Sequence, residues 1–187
     1  MSSGGFVVGA LVAAAGAFVA LELVDRDTVR PIARQLWIEE GPAHRPANAQ
    51  AIAEVLVRRV DRASKIKGRR VTVAQLQSGD VLDAYAGPIS SGWQGYGDAI
   101  DAAEIVRVSD DAFRYRAEGA AWRALLAVRF GVGQQIAPGA LWWRHAAPGA
   151  LPATWRGNVL VVELDAPGGR RLGLYAPPAV PAKSAKK

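Results

Sequence analysis

Apolar residues recur with a helical period in the first third of the chain. Val29, Ile32 and Leu36 are three and four positions apart, the spacing of one face of an α-helix. Gly41-Pro42 follows and is typical of a helix end. The pattern predicts a helix that begins near Thr28 and ends at this dipeptide.

Three further segments have helical spacing. The first covers residues 47–63, and in it Glu54 and Arg58 form an i,i+4 pair that we expect on the solvent side. The other two cover residues 98–108 and 117–130. The expected buried face of the first segment consists of Ile52, Val55, Leu56 and Val60.

The last third of the chain has a different pattern. Residues 158–164 are β-branched and apolar, a Pro-Gly-Gly turn follows, and residues 171–175 would return as a partner strand. Trp142 and Trp143 lie between two Pro-Gly dipeptides, which predicts a loop. Adjacent residues of an extended chain face opposite sides, so we expect one Trp to pack and the other to be exposed. The fold expected from the whole pattern is mainly α, with one small C-terminal β-hairpin.

An apolar segment precedes this body. Residues 4–21 contain no charged side chain and are just long enough to span a membrane as a helix. Their many Gly and Ala residues permit close helix packing. Four interpretations remain open: a membrane anchor, a cleaved secretory signal, a helix buried in an assembly, and a releasable signal-anchor like those of some phage endolysins. The predicted organisation is an N-terminal transmembrane-type helix (1–24), a body (25–176) and a flexible basic tail (177–187).

Composition excludes several classes of function. The net charge is +6, but three of the cations stand in the last five residues, and no block of five like charges occurs. Nucleic-acid binding is therefore not expected, whereas an anionic bacterial envelope is a suitable partner. The absence of Cys excludes disulfides and thiolate chemistry. The two histidines, His44 and His145, stand far apart, so neither a metal site nor a cofactor is expected.

One carboxylate has an informative position. Glu39 continues the apolar row of Ile32 and Leu36 at 100° per residue, while Glu40 falls on its edge. A carboxyl group held partly out of water keeps its proton near neutral pH and can act as a general acid. A single carboxylate at a helix end is more often structural, so further segments must support a catalytic role.

Residues 32–60 resemble the cell-wall hydrolase family of the spore-cortex lytic enzymes. Members have a helix that ends in an aromatic, a small residue and the catalytic Glu; the aromatic here is Trp37 and the Glu is Glu39. A loop and a helix ending in Asn-Arg-Val follow in the family, and this chain has Arg58-Arg59-Val60.

Later segments extend the resemblance in the same order. Residues 139–143 (GALWW) resemble the family's Gly-Ala-aliphatic-aromatic-aromatic element, and residues 171–175 (RLGLY) resemble its closing element. Residues 85–93 (YAGPISSGW) resemble a loop of phage-type cell-wall hydrolases. The chain departs from the family in four ways: the second Glu after the catalytic one is missing, the loop is about one residue longer, Arg58 replaces the usual Asn, and the closing element lacks its His.

The resemblance implies a lysozyme-like fold and cleavage of the bond between N-acetylmuramic acid and N-acetylglucosamine. Glu39 would protonate the glycosidic oxygen and then take the proton of the sugar's own 6-hydroxyl, which gives an anhydro product with one carboxylate. Asp80 and Asp83 are candidates for a second carboxylate in a hydrolytic variant. The substrate-binding residues implied by these segments are Tyr85, Pro88, Ile89, Trp93, Trp142, Trp143 and Tyr175.

Two hypotheses from different classes follow. The first is a peptidoglycan lytic transglycosylase or muramidase, attached to a membrane through residues 4–21 and facing the wall, or carried in a virion together with phage structural proteins. It would serve phage DNA entry, host lysis or wall remodelling. The second is a structural virion or envelope protein with an inactive lysozyme-like module. The missing second Glu and the altered loop favour the second hypothesis slightly.

Overall fold

The computed structural model describes residues 24, 28–40, 45–73, 75 and 111–178, with side chains for all of these except 37–40 and 111–115. Three α-helices precede four strands in this part of the chain. The helices are α1 (Arg30–Glu40), α2 (Pro46–Lys67) and α3 (Asp111–Phe130). The strands are β1 (Trp142–Ala146), β2 (Thr154–Trp155), β3 (Asn158–Asp165) and β4 (Arg171–Ala176).

Helix α2 is the central element of the fold. Every side chain from Ala51 to Val57 is buried, so the helix is covered on all sides there, as its almost uninterrupted apolar sequence requires. Pro46 occupies the first turn, where its missing N–H costs no helical hydrogen bond. Gly68 ends the helix in the left-handed conformation, with φ +62°, that a helix C-cap commonly uses.

The helices have a defined relative direction. Arg123 of α3 contacts Gln50 near the start of α2, and Arg129 near the end of α3 contacts Asp61 in the last third of α2, so these two helices run the same way. Helix α1 packs on both, and residues 41–45 connect its end to the start of α2. We call the end of the bundle where α2 begins the Pro46 end, and the end where α2 finishes the Gly68 end.

The four strands form one antiparallel sheet in the order β1-β4-β3-β2. The third strand is irregular at Val161, where the register with β4 shifts. Two contacts tie the sheet to the start of α2: the Asn48 amide donates to the carbonyl of Asp165 at 2.8 Å, and Arg45 forms an ion pair with the Asp165 carboxylate at 3.1 Å.

The main core lies between the helices and one face of the sheet. Ile32 and Leu36 of α1, and Val29 just before it, are fully buried in this core, as their spacing predicts. Leu172 and Leu174 bring the sheet into the same cluster. A smaller cluster contains Leu141, Trp142 and Tyr175, with Trp155 and Leu160 packed against it.

The predicted fold class is wrong, because the described residues form an α+β structure and not a mainly α, lysozyme-like body. The expected hairpin is present as β3 and β4, but it is the middle of a larger sheet. Strand β1 adds to β4 and comes from the segment predicted as a loop, and strand β2 adds to β3. Residues 142–146 form a strand because their backbone pairs with β4, about 30 residues later in the chain. Local hydrophobic periodicity cannot predict such a long-range pairing.

The predicted fold also included an N-terminal transmembrane-type helix. Among the described residues, no helix is both long and apolar enough to cross a bilayer. Residues 4–21 lie outside the described part of the chain, as do the predicted helix 98–108 and most of the tail 177–187.

Candidate functional site

A cleft of about 830 Å³ opens at the Pro46 end. It lies between the first two turns of α2 and the middle of α3, and the segment that leads from α3 to β1 closes one side. The lining residues are Pro46, Ala47, Gln50, Arg116, Glu118, Gly119, Trp122, Arg123 and Ile136.

The cleft combines one aromatic ring with several polar side chains. Glu118 and Trp122 are four residues apart on α3 and therefore share a helix face. Trp122 is half-buried and packs against the main core while it lines the cleft. The Arg123 guanidinium donates to the side-chain oxygen of Gln50 at 3.4 Å across the cleft. An aromatic surface beside planar amide, carboxylate and guanidinium groups suits a ligand with both apolar faces and polar edges, such as a sugar.

The sequence pattern does not indicate this site. Trp122 has the helical spacing of a core residue and, spacing apart, nothing in the pattern distinguishes Glu118 or the two arginines of the cleft. The i,i+4 spacing of Glu118 and Trp122 was the available signal. The sequence does not show that Pro46 and Gln50 lie opposite these α3 residues, because they belong to a helix more than 60 residues earlier.

A buried carboxylate fixes one wall of the cleft. Glu54 is 0% exposed, and its two oxygens accept hydrogen bonds from the backbone N–H groups of Ile136 at 2.8 Å and Ala137 at 3.1 Å. Gln50 donates to the same carboxylate at 3.2 Å and Arg58 donates at 3.1 Å. With four donors around it, this carboxylate is an anchor for the chain segment that carries Ile136.

Arg58 extends the same network. Its guanidinium also donates to the side chain of Gln135 at 2.6 Å and to the carbonyl of Ala140 at 3.2 Å. Burial lowers the pKa of Arg58, and the adjacent Glu54 carboxylate opposes that shift. The predicted pair of Glu54 and Arg58 is therefore present at 3.1 Å, but its expected position on the solvent side is wrong.

Glu39 lies in the last turn of α1. The structure describes the backbone of this residue and not its side chain. Five residues, 41–45, separate the end of α1 from Pro46, the first residue of the cleft. Even a fully extended chain keeps the Cα atoms of Glu39 and Pro46 within roughly 25 Å of each other.

Several predicted site residues lie outside the described part of the chain. Their assignment to substrate binding or to catalysis stays a prediction. These residues are Tyr85, Pro88, Ile89, Trp93, Asp80 and Asp83.

The other three predicted substrate residues are buried. Trp142 and Trp143 are adjacent on β1 and join different clusters, so they face opposite sides as expected. They are only 3% and 8% exposed, so the expectation that one of them would be exposed is wrong. Tyr175 is fully buried and pairs with Trp142 across the sheet. The substrate role of these three residues stays a prediction, and in this conformation their rings contact protein.

Arginines surround the Trp142 ring. The Arg59 guanidinium lies 4.4 Å from the ring centroid and that of Arg156 lies 5.1 Å from it. Trp155 meets Trp142 edge-on, with 5.9 Å between centroids. Burial, and then repulsion from Arg156, lower the pKa of Arg59 to about 9. Cation–π attraction offsets part of the cost of burying this guanidinium, which stays protonated at neutral pH.

The described residues contain no group of three or more His, Cys, Asp or Glu side chains that could hold a metal ion. His145 is half-exposed on β1.

Comparison of the chain with protein-family models, with curated proteins and with solved structures finds no match.

Proposed function

We propose that this protein cleaves the glycan strands of peptidoglycan, with Glu39 as the general acid and the cleft at the Pro46 end as the glycan-binding site. One observation carries the proposal. The last turn of α1, which contains Glu39, connects through only five residues to Pro46, which lines the cleft. The chain connection therefore keeps the Cα atom of the candidate acid within roughly 25 Å of the first residue of the candidate binding site.

The reaction needs one proton donor and one nucleophile. The Glu39 carboxyl group protonates the glycosidic oxygen while the bond from that oxygen to C1 of the muramic acid breaks, through an oxocarbenium-like transition state. The 6-hydroxyl oxygen of the same sugar then forms a bond to C1, and its proton passes to the Glu39 carboxylate. The product is a 1,6-anhydro sugar, and the acid is restored.

Glu118 gives the site a second carboxylate. It lines the cleft and is half-buried. If water replaces the 6-hydroxyl as nucleophile, a base must accept the water's proton, and a carboxylate on the opposite side of the sugar serves that role. Among the described residues, Glu118 is therefore the candidate base for hydrolysis, in addition to the predicted candidates Asp80 and Asp83.

The polar lining of the cleft supports a glycan with carboxylate groups. Trp122 offers a ring for stacking against a sugar face. Arg116 and Arg123 are exposed in the cleft and suit the carboxylates of the lactyl group or the stem peptide.

The test compares two isosteric substitutions in neighbouring residues. The full chain, Glu39→Gln and Glu40→Gln are each incubated with purified peptidoglycan, and the released muropeptides are identified by mass spectrometry. We expect anhydro-muropeptides from the unmodified chain and from Glu40→Gln. Loss of general acid catalysis should slow Glu39→Gln by about 100-fold or more.

Other outcomes are equally informative. Reducing ends that disappear in Glu118→Gln would mean hydrolysis at the same site. Full activity of Glu39→Gln would exclude its role as acid. If the unmodified chain sediments with peptidoglycan but releases no product, the enzyme proposal is wrong and a structural, glycan-binding role replaces it.

A further inference from the structure

Gln50 makes three hydrogen bonds that fix the orientation of its side-chain amide. Its nitrogen donates to the carbonyl of Gln134 at 2.8 Å and to the Glu54 carboxylate at 3.2 Å. Both partners are acceptors, so the amide nitrogen faces them and the amide oxygen faces the other side. That oxygen accepts a hydrogen bond from Nε of Arg123 at 3.4 Å. The buried Glu54 carboxylate therefore orients Gln50, and Gln50 orients Arg123.

A second contact limits the position of the Arg123 guanidinium. Its Nη1 atom lies 3.5 Å from the position that a Cβ would take at Gly119, so the group lies close to α3 one turn earlier. Gly119 and Arg123 both line the cleft. The guanidinium thus has a defined place on the cleft wall, although the side chain is exposed to solvent.

The two terminal nitrogens of Arg123 remain available to a ligand. A guanidinium has one N–H on Nε and four on the two Nη atoms. Gln50 takes the Nε donor, and among the residues that the structure describes it is the one hydrogen-bond partner of Arg123. The Nη atoms can therefore make the pair of parallel hydrogen bonds by which arginine binds a carboxylate.

Arg116 provides an internal comparison. It lines the same cleft from the same helix, seven residues before Arg123. It is exposed, and within the described part of the chain no hydrogen bond or ion pair holds its guanidinium. The two arginines bring the same charge, but only Arg123 is held in position. A group that is already held loses less conformational freedom when it binds a ligand.

Glu118 is the acidic residue among those that line the cleft. It precedes Arg123 by five positions on α3, which corresponds to about 140° around the helix axis. The two side chains therefore leave the helix in different directions, and an anion on the Nη atoms of Arg123 does not have to approach the Glu118 carboxylate. With two arginines and one glutamate, the lining of the cleft has a positive balance.

We propose that Arg123 is the residue of the cleft that binds a carboxylate of the glycan, and that Gln50 is its positioning residue. This inference rests on the glycan-binding part of the proposed function and does not require the catalytic part. Trp122 directly precedes Arg123 and also lines the cleft, so a sugar ring against Trp122 has its substituents near Arg123.

The carboxylate has two sources in peptidoglycan. In muramic acid, one oxygen and one carbon join a carboxylate to ring position 3, which keeps it close to the ring. This carboxylate is free only in a strand without stem peptides, because the peptide is attached to it as an amide. The other source is the stem peptide itself. The adjacency of Trp122 and Arg123 favours the lactyl carboxylate, since ring and anion then belong to the same sugar.

Isothermal titration calorimetry with three ligands of the same glycan length tests the proposal. Chitotetraose has no carboxylate. A peptide-free tetrasaccharide of alternating N-acetylglucosamine and N-acetylmuramic acid has lactyl carboxylates, and the same tetrasaccharide with stem peptides has its carboxylates on the peptides. Every protein is the full chain with Glu39→Gln, so that no ligand is cleaved during the titration.

We expect the peptide-free tetrasaccharide to bind about tenfold more tightly than chitotetraose. Arg123→Gln should abolish this preference. Arg123→Lys keeps the charge without the planar pair of donors and should retain a preference of only about threefold. Arg116→Gln should weaken binding of the charged ligand by less than about threefold, and high salt should remove that effect because it screens an attraction without fixed geometry.

Gln50→Leu tests the positioning role, because leucine is of similar size and has no amide. We expect the ratio of the two affinities to fall to about threefold, as in Arg123→Lys, since the arginine is then charged but not held. A merely structural role of Gln50 would weaken both ligands equally and leave the ratio unchanged. Circular dichroism checks that the variant is folded; if it is not, the two exposed Arg123 variants still decide the proposal.

Two results would overturn the inference and leave the glycan site in place. One is equal affinity for all three ligands in the protein with Arg123 intact. The other is a preference for charged ligands that Arg123→Gln and Arg116→Gln reduce equally, which would mean attraction to the positive cleft as a whole. A preference for the stem-peptide ligand that Arg123→Gln abolishes would support the carboxylate site and identify the peptide as its source. If none of the three ligands binds, the glycan-binding proposal is wrong and this inference fails with it.

Discussion

The carboxylate of Glu54 accepts a 2.8 Å hydrogen bond from the backbone N–H of Ile136, which lies 82 residues later in the chain. This contact joins the central helix to the segment that leads into the sheet. Because Ile136 also lines the cleft, a fully buried charge sets the position of one wall of the candidate site.

Removal of this carboxylate should destabilise the fold strongly. Glu54→Ala leaves Arg58 and two backbone N–H groups without their acceptor, and breaking a buried ion pair costs about 3–5 kcal/mol. Glu54→Gln keeps one acceptor oxygen and should cost less, about 2 kcal/mol. Urea unfolding followed by Trp fluorescence measures both.

The control for this prediction is a carboxylate in an exposed pair. Glu163 contacts Arg171 at 3.4 Å on the surface, and Glu163→Gln should change the free energy of unfolding by less than about 1 kcal/mol. If Glu54→Ala behaves like Glu163→Gln, then the network is not an anchor.

A substitution at Gly119 should change the stability of the fold in a defined direction. It lies inside α3 and lines the cleft, and a Cβ added there would meet only the end of the Arg123 side chain, at an ordinary 3.5 Å. Packing therefore does not require glycine. Gly119→Ala should raise the free energy of unfolding by about 1 kcal/mol, because alanine loses less backbone entropy in a helix.

The same methyl group occupies space in the cleft. We therefore expect Gly119→Ala to weaken glycan binding, measured by calorimetry with soluble muropeptides, although the protein is more stable. Gly68→Ala is the matched control: Gly68 has φ +62°, so alanine is strained there and should destabilise the fold without touching the cleft. Greater stability with unchanged glycan affinity would mean that the ligand does not approach α3 at Gly119.

Trp122→Ala should lower glycan affinity about tenfold or more, because it removes the ring that the cleft offers for stacking. Trp155→Ala is the comparison, since Trp155 belongs to the small cluster around Trp142 and not to the cleft. Binding of chitin oligosaccharides, followed by calorimetry, separates the two. A loss of affinity in Trp155→Ala and not in Trp122→Ala would move the glycan site to the sheet.

Local periodicity was sufficient for the three helices in the described part of the chain. The three-and-four spacing of Val29, Ile32 and Leu36 predicted a buried row, and all three are fully buried. The same reasoning placed Glu54 outside, because an acidic residue four positions from an arginine usually forms an exposed pair. Only the return of the chain at Ile136 and Ala137 supplies the donors that let Glu54 be buried, and that return is a long-range contact.

The sheet shows the same limit. Residues 158–164 and 171–175 were predicted as a hairpin from their composition and turn, and they form β3 and β4. Trp142 was assigned to a loop because Pro-Gly dipeptides flank its segment. It is a strand residue because Tyr175 pairs with it, and that pairing is not visible in either segment alone. Glu39 could be selected from its position on the apolar row of α1. The cleft could not be predicted, because its lining residues come from α2 and α3, which are far apart in the sequence.

Tyr175 gives a pH-dependent prediction. Burial raises the pKa of its phenol above the ordinary value near 10, and its hydroxyl donates to the carbonyl of Pro152 at 3.1 Å. As the pH rises past 10, the unfolded chain loses this proton while the folded chain keeps it. The unfolded state then binds fewer protons, so the free energy of unfolding falls with increasing pH.

Tyr175→Phe removes both the titrating group and the hydrogen bond. Near pH 8 it should be less stable than the unmodified chain by about 1 kcal/mol, the usual contribution of one hydrogen bond. From pH 9 to pH 11 that difference should shrink, because only the unmodified chain is penalised for keeping a buried phenol protonated. Urea unfolding of both proteins at each pH, followed by circular dichroism, measures the difference, and titrations of Lys and of the other tyrosines cancel between them. A constant difference across this range would mean that the phenol of Tyr175 reaches solvent and titrates as it does in the unfolded chain.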